Sequence, residues 1–357
     1  MVEKFPIFAL TQREYGETVF SVLGKGKQHA CMVYSEWFKK GKVSSSDPWV
    51  EKQASALVEE IIQSTDFSLP EIADVKEDDG ILKFLLRYQD GVESESVLIP
   101  MQAGNTLCIS TQIGCKMGCV FCETGRMGLL RHLSAKEIIV QVFYARILLK
   151  HPVRNLVFMG MGEPLDNYEE VMKAVAVLTD SAGLGFGPSH ITISTSGLVD
   201  AIYRLIDEAD PALNLAVSVN ASNDSLRNRI MPINKKWNMA QLKEAMAAYC
   251  QHPRRQIFIE YVLLKGMNDT LEHAQELADY LQGLKVKVNV IPYNHQSNSR
   301  FSTPTLNELN EFVNYMRSRG YQTLVRNPKG IQIMAACGQL GNKQLRQKLR
   351  NHSLRII

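Results

Sequence analysis

Three cysteines stand within eight residues, in Cys115-Lys-Met-Gly-Cys119-Val-Phe-Cys122, and their C-x3-C-x2-C spacing constrains this chain more than any other feature. The chain holds seven cysteines, an odd number, and its start, MVEKFPIFALTQREYGE, lacks a signal-peptide pattern. A disulfide framework is therefore not expected, and the triplet points to metal or redox chemistry in a reducing, cytoplasmic setting. Three thiolates fall short of the four that saturate a structural zinc or an ordinary four-iron cluster. No fourth Cys or His stands close by in sequence. A four-iron cluster held by three thiolates keeps one iron open for a ligand. Gly114 and Gly118 let such a loop fold tightly, and Phe121 can shield it from water.

The triplet follows the first of a series of short β-branched runs. These are TLCIS (106–110), NLVFM (155–159), HITIS (190–194), LNLAVSV (213–219), IFIEYVLL (257–264), VKVNVI (286–291) and YQTLV (321–325). Between them lie segments with apolar spacing near 3.6: Ser134–Leu149, Tyr168–Leu178, Met239–Tyr249, Thr270–Leu281 and Leu306–Arg319. Ser134 with Glu137, and Thr305 with Glu308, have capping-box spacing. About six β–α units in series predict an α/β fold, a partial (βα)6 barrel whose ligands sit beyond the carboxyl ends of its strands.

Residues 1–94 read as an accessory region. A helix is expected from Asp47-Pro48, with Val50, Ala54, Leu57, Val58 and Ile61 on its apolar face. A hairpin follows, ILKFLLRY (81–88) and ESVLIP (95–100), turning at Asp90-Gly91. The core is expected over 95–340, and a basic tail over 341–357. No run reaches the ~18 apolar residues of a membrane span. The net charge of +3 hides an asymmetry: from Phe312 onward there are nine Lys or Arg and no Asp or Glu. Such a run is ordinarily a solvated tail, but beside an RNA-modifying core it suits phosphate contacts.

Several motifs taken together, TLCISTQIGCKMGCVFCETG (106–125), FMGMGEPLDN (158–167), ITISTSGL (191–198), MPINKK (231–236), NDTLEHAQELA (268–278) and AACGQL (335–340), resemble the RlmN/Cfr family of radical S-adenosylmethionine (SAM) enzymes. The resemblance spans 95–340, or 246 of 357 residues. It implies an enzyme that methylates an adenine ring carbon of ribosomal RNA, with transfer RNA a further substrate for some members. C2 is favoured and C8, as in Cfr-type members, is the near alternative. It implies a [4Fe–4S] cluster on Cys115, Cys119 and Cys122, SAM at the open iron, and an electron donor such as flavodoxin or ferredoxin. A monomer is expected.

By the same resemblance, Cys337 carries the methyl group, Cys108 resolves the protein–RNA adduct by disulfide formation, and Glu95 accepts the proton lost from the base. Gly162 and Glu163 in GMGEP, Ser194, Ser218-Val219-Asn220 and Asn294 match the SAM contacts. Cys31 and Cys250 have no such context and read as structural thiols. Three departures stand out. Ser218-Val219-Asn220 replaces Ser-Leu-His, Glu123 replaces an alanine after the third cluster cysteine, and Lys329–Met334 replaces an acidic run before AACGQL. Two other classes compete: a radical SAM enzyme with a non-RNA substrate, which has no need of Cys108 or Cys337, and an iron–sulfur RNA-binding protein without methylation activity.

Overall fold

The computed structural model describes residues 4–296, 299–326, 330 and 332–341. The basic tail from 342, together with Lys329 and Ile331, lies outside the described residues. The amino-terminal region is more helical than its sequence suggested. Helix α1 (Gln12–Leu23) starts at a capping box of Thr11 and Glu14 and stops at Gly24, where φ is 67°. Helix α2 (Lys27–Lys40) follows directly. Trp37 of α2 stacks on Phe143 at 5.3 Å between ring centroids, and Phe8 meets the same ring edge-on at 5.2 Å.

The helix expected from Asp47 begins later, as α3 (Ser55–Gln63), after a 3-10 turn over Lys52–Ala54. Asp47 instead closes a local turn, its Oδ2 accepting from the Ser44 amide at 2.9 Å. An Asx-type turn competes with helix initiation for the same side chain. Val58 and Ile61 are buried as the apolar spacing predicts.

Strand β1 (Glu71–Asp78), absent from the sequence reading, pairs antiparallel with β2 (Ile81–Arg87). β2 pairs with β3 (Glu93–Ile99), and these are the two arms of the expected hairpin. β3 runs through position 94/95, so the sheet is continuous across the proposed start of the core. It pairs antiparallel with β4 (Thr106–Cys108), with Val97 opposite Cys108. That register carries Glu95 two residues beyond the carboxyl end of β4.

A small hairpin follows, β5 (Gln112–Cys115) and β6 (Gly128–His132), enclosing the short helix α4 (Glu123–Met127). Then helices and parallel strands alternate: α5 (Ala135–Phe143), β7 (Asn155–Phe158), α6 (Tyr168–Thr179), β8 (Ile191–Thr195), α7 (Val199–Glu208) and β9 (Asn214–Ser218). The second half continues with α8 (Asp224–Ile230), α9 (Met239–Tyr249), β10 (Ile257–Leu263), α10 (Leu271–Tyr280), β11 (Val286–Pro292), α11 (Leu306–Ser318) and β12 (Gln322–Val325). Among the described residues the main sheet has ten strands, ordered β1-β2-β3-β4-β7-β8-β9-β10-β11-β12. From β4 onward every neighbour is parallel. Six β–α crossovers ending on a seventh strand make the partial barrel. Both expected capping boxes form, at Ser134–Glu137 and Thr305–Glu308.

A buried polar tie fixes the start of the barrel. Gln141 of α5 has no exposed surface. Its amide accepts from Ser96 and from the Ser110 backbone, both at 2.8 Å, and donates to Ser110 O at 2.9 Å. Helix, hairpin and the exit of β4 are thus locked together where the chain enters the cysteine loop. Among the described residues, no helix is long and apolar enough to cross a membrane.

Candidate active site

The cysteine loop is built on close backbone contacts. A Cβ on Gly114 would lie 1.9 Å from Gly128 O, so only glycine allows the β5–β6 bulge there. A Cβ on Gly125 would lie 3.0 Å from Cys119 O. The Cys122 amide donates to Cys119 O at 3.1 Å, drawing the second and third cysteines into one turn. Burial pushes the Cys115 thiol up to about 12, with Glu163, Cys122 and Asp166 adding to the effect. The Cys119 and Cys122 thiols are also raised, by burial first; the neighbouring cysteines add to this for Cys119 and Glu123 for Cys122. Thiols crowded this way become thiolates only when a cation binds them. Among the described residues no three His, Cys, Asp or Glu side chains close round a single ion. A cluster asks for a wider arrangement, because each thiolate takes its own iron. The three-thiol donor set fits a [4Fe–4S] group with one iron left open.

The chain leaving β7 forms the adjoining wall. Gly160 and Gly162 were expected to admit a ligand, but the structure uses them to admit protein. A Cβ on Gly160 would lie 2.7 Å from Ile109 O, and one on Gly162, where φ is 105°, would lie 2.6 Å from Gln112 Cβ. Gln112 Oε1 accepts from the Glu163 amide at 2.9 Å and Gln112 Nε2 donates to Asp166 at 2.9 Å. Glu163 is buried, and its Oε2 accepts from Ser196 N at 2.7 Å and Ser196 Oγ at 2.8 Å. Burial raises its carboxyl, against the opposing hydrogen bonds of Ser196, Thr195 and Leu165. A buried carboxylate beside the cluster loop suits a ligand's ammonium group.

The other expected SAM contacts stand at successive strand ends, with different degrees of freedom. Ser194 lies within β8, and the contact to Glu163 is made two residues later by Ser196. Ser218 ends β9. Val219 is fully buried, and its amide donates to Glu260 O at 3.1 Å. Asn220 has φ of 57°, a conformation that asparagine tolerates well. Its Oδ1 accepts from Val262 N at 2.8 Å and its Nδ2 faces Met231 Sδ at 3.3 Å, so its side chain is engaged within the protein. Asn294 is buried; its Nδ2 donates to Cys337 O at 3.0 Å, while its Oδ1 has no partner among the described residues. That oxygen is an acceptor available to a bound donor.

Cys337 sits on a loop pinned to the cysteine loop. Glu123 N donates to Gly338 O at 2.8 Å, and Gln296 Nε2 bridges Phe121 O at 2.7 Å and Gly338 O at 2.9 Å. Arg126 bonds both Gln296 and Glu123. Glu123, the departure after the third cysteine, is thus part of the clasp between the two loops. Cys337 is reachable by solvent yet ringed by protein, which pushes its thiol up to about 11; Glu260 and Cys122 raise it further and Arg326 opposes them. Cys108 is buried and lies within the field of Cys337; burial raises its thiol more strongly. Glu95 closes the site from the hairpin. Its Oε1 accepts from Gly341 N at 3.0 Å, and its Oε2 pairs with Lys83 Nζ at 2.6 Å. Lys83 also donates to Met334 O at 2.9 Å.

The pattern of the Radical SAM superfamily matches residues 109–281. A protein of Protochlamydia amoebophila described as a probable dual-specificity RNA methyltransferase RlmN 1 is 52% identical over 342 residues, 96% of this chain and 95% of its own length. The chain belongs to the RlmN/Cfr family. A second relative, the dual-specificity RNA methyltransferase RlmN of Geobacter sulfurreducens, is 41% identical over 90% of this chain and 89% of its own length. A radical SAM methyltransferase of Sphaerobacter thermophilus superposes with a TM-score of 0.85 at 35% identity, covering 94% of this chain and 98% of its own. The protein is therefore a SAM-dependent radical SAM RNA methyltransferase, and its cofactors are a [4Fe–4S] cluster and SAM.

Sequence reasoning overlooked several residues that shape this family site. Ser196 grips Glu163, Gln112 fixes the turn before it, Lys83 partners Glu95 and Gln296 bridges the two loops. Lys83 was in principle legible as a lone cation on the buried side of ILKFLLRY. The others are polar residues in loops, and only the folded chain reveals what they touch.

Proposed function

We propose that this enzyme methylates C2 of an adenine in ribosomal RNA, and also accepts transfer RNA, by way of a methylated Cys337. The observation that carries this reading is the convergence of two thiols, Cys108 and Cys337, beside the Glu95 carboxylate and directly against the cysteine loop. A radical SAM enzyme that acts on a protein or metabolite has no use for that pair. The dual specificity ascribed to the relatives supports more than one RNA class.

When bound, the cluster and SAM supply the methyl group and the one-electron chemistry that activates it. Cys115, Cys119 and Cys122 hold the cluster. Glu163, Ser194, Ser218, Val219, Asn220 and Asn294, with Gly162 shaping the turn, form the SAM contacts, and the ammonium group falls to Glu163. Cys337 accepts the methyl group and presents it to the base. Glu95, held by Lys83 and the Gly341 amide, takes the proton whose loss restores the aromatic ring. Cys108 attacks the sulfur of Cys337 to release the product as a disulfide. The base must be splayed from its stack, because the ring carbon is hidden in a helix. Residues 1–94 act as an accessory region to the core at 95–340. The basic run from Arg317 to Arg355 contributes phosphate contacts. The enzyme works in the cytoplasm as a monomer and receives electrons from a flavodoxin- or ferredoxin-type donor.

The test is anaerobic. The reconstituted enzyme is given SAM, a reductant, and ribosomal and transfer RNA from a host lacking such enzymes, and nucleosides are read by mass spectrometry. 2-Methyladenosine is expected, and 8-methyladenosine would move the assignment to the other ring carbon. Full methylation by Cys337→Ala would overturn the methyl-cysteine route.

A further inference from the structure

Arg227 in α8 is the largest fully buried side chain of the described residues, with 0% exposure. Its hydrogen bonds go to neutral acceptors. Nε donates to Val219 O at 3.1 Å and Nη1 to Asn234 Oδ1 at 2.9 Å. Nη2 donates to Ser196 O at 2.6 Å and Ser218 O at 3.1 Å. These bonds make Arg227 a strut between the exits of β8 and β9, and Ser196 is the residue that grips Glu163.

Hydrogen bonding alone does not account for a cation here. A guanidinium taken wholly out of water with only neutral acceptors is costly, and buried charges are ordinarily paired. Its charged or ionisable neighbours are Tyr280, Cys119 and Asp224. The Tyr280 hydroxyl donates to Met239 O at 2.9 Å, and burial raises its pKa, so it stays neutral. Asp224 Oδ1 already accepts from Asn234 Nδ2 at 2.7 Å and Met239 N at 2.9 Å. Cys119 is the neighbour whose charge changes with function: it is a crowded thiol without iron and a thiolate with it.

We propose that Arg227 is the counter-charge of the iron–sulfur cluster, compensating it from the Cys119 side and raising its reduction potential. This rests on the cluster assignment and is independent of the RNA substrate or the methylation route. A one-electron reductant adds negative charge to a cluster that three thiolates already make anionic. A fixed cation in a low-dielectric wall favours the reduced form over the oxidised one. Arg227 is thus a positioning residue for the SAM pocket and an electrostatic one for the cluster.

The test is a redox titration of the reconstituted protein, without SAM or RNA, followed by electron paramagnetic resonance against a dithionite-poised mediator series. Arg227→Gln keeps two donors and loses the charge; Arg227→Lys keeps the charge and loses the fork. The expected result is a midpoint more negative than wild type in Arg227→Gln, with Arg227→Lys close to wild type. Loss of iron and sulfide from Arg227→Gln alone, with both iron-free variants folded by circular dichroism, supports the same conclusion. An unchanged midpoint in a fully loaded Arg227→Gln protein overturns it. So does equal loss of the cluster from both variants, which would mean that shape and not charge is needed. Failure of the iron-free Arg227→Gln chain to fold also counts against it, because without iron the cation has no thiolate to compensate.

Discussion

At the scale of single residues, the site consists of charged and thiol groups whose behaviour is set by what surrounds them. Lys83 and Glu95 form an ion pair with side chains 9% and 5% exposed. Removing one member leaves the other buried and uncompensated, which costs about 3–5 kcal/mol, whereas removing both is far milder. Lys83→Met is expected to lower the urea stability by that amount, and Lys83→Met with Glu95→Gln to recover most of it. Equal losses in the single and double variants would mean that the pair is not the stabilising unit. Cys337 gives a second prediction. Its thiol is accessible but pushed up to about 11, so it is neutral at pH 8. In the iron-free protein its alkylation by iodoacetamide should climb about tenfold per pH unit beyond pH 8. The rise should continue to about 11 rather than level near the ordinary thiol value. Peptide mapping that finds a plateau near 9 would contradict this assignment of its surroundings. Both cysteines were legible in sequence because AACGQL and TLCIS are distinctive strings. Lys83 and Ser196 were not, because nothing local says what a buried lysine or a serine after a strand will meet.

Secondary-structure elements divide by how local their signals are. The parallel strands and long helices carry strong periodicity, and the structure returns them within a few residues. The Thr305–Glu308 box is a case in point: Thr305 Oγ1 accepts from the Glu308 amide and Glu308 Oε2 from the Thr305 amide, at 2.6 Å for the latter. Thr305→Ala should cost about 1 kcal/mol in urea unfolding, and no loss would mean that α11 is held by packing alone. The Thr11–Glu14 box of α1 has the same spacing and was readable, yet the short amphipathic helices at the start drew no notice without the barrel's regular alternation. β1 is harder to see from sequence. Its residues Glu71–Asp78 are charged and mostly exposed, as suits an edge strand, and it exists because β2 offers it a partner. The start of α3 was misjudged because Asp47 has two uses, and the Ser44 turn takes it.

Across the whole molecule, the fold brings residues 95, 108, 115–122, 163, 294 and 337 to one end of an open sheet, and what joins them is a set of loop-to-loop bonds. The Cys337 loop has little regular structure of its own. It is held by Asn294 at Cys337 O, by Glu123 N and Gln296 at Gly338 O, and by Gln339 Nε2 donating to His295 O at 2.8 Å. Thr124 Oγ1 donates to Leu340 O at 2.5 Å, which adds another tie from the cluster helix. A loop fixed mainly by such bonds is stable only while its partner loop is in place. Gln296 is central to it, since its amide reaches both loops at once. Gln296→Leu deletes two donors and leaves Phe121 O and part of Gly338 O unsatisfied, a loss of about 1–3 kcal/mol for each buried group. Because about 1.4 kcal/mol is tenfold in an opening equilibrium, the Glu123 amide and those of the Cys337 loop should exchange with deuterium at least about tenfold faster in that variant. Stripping the cluster from the wild type should loosen the same amides, since the iron no longer holds the cysteine loop against them. Exchange confined to the cysteine loop, with the Cys337 loop unchanged in both experiments, would show that the two move independently and that the methyl-accepting thiol is positioned by the barrel alone.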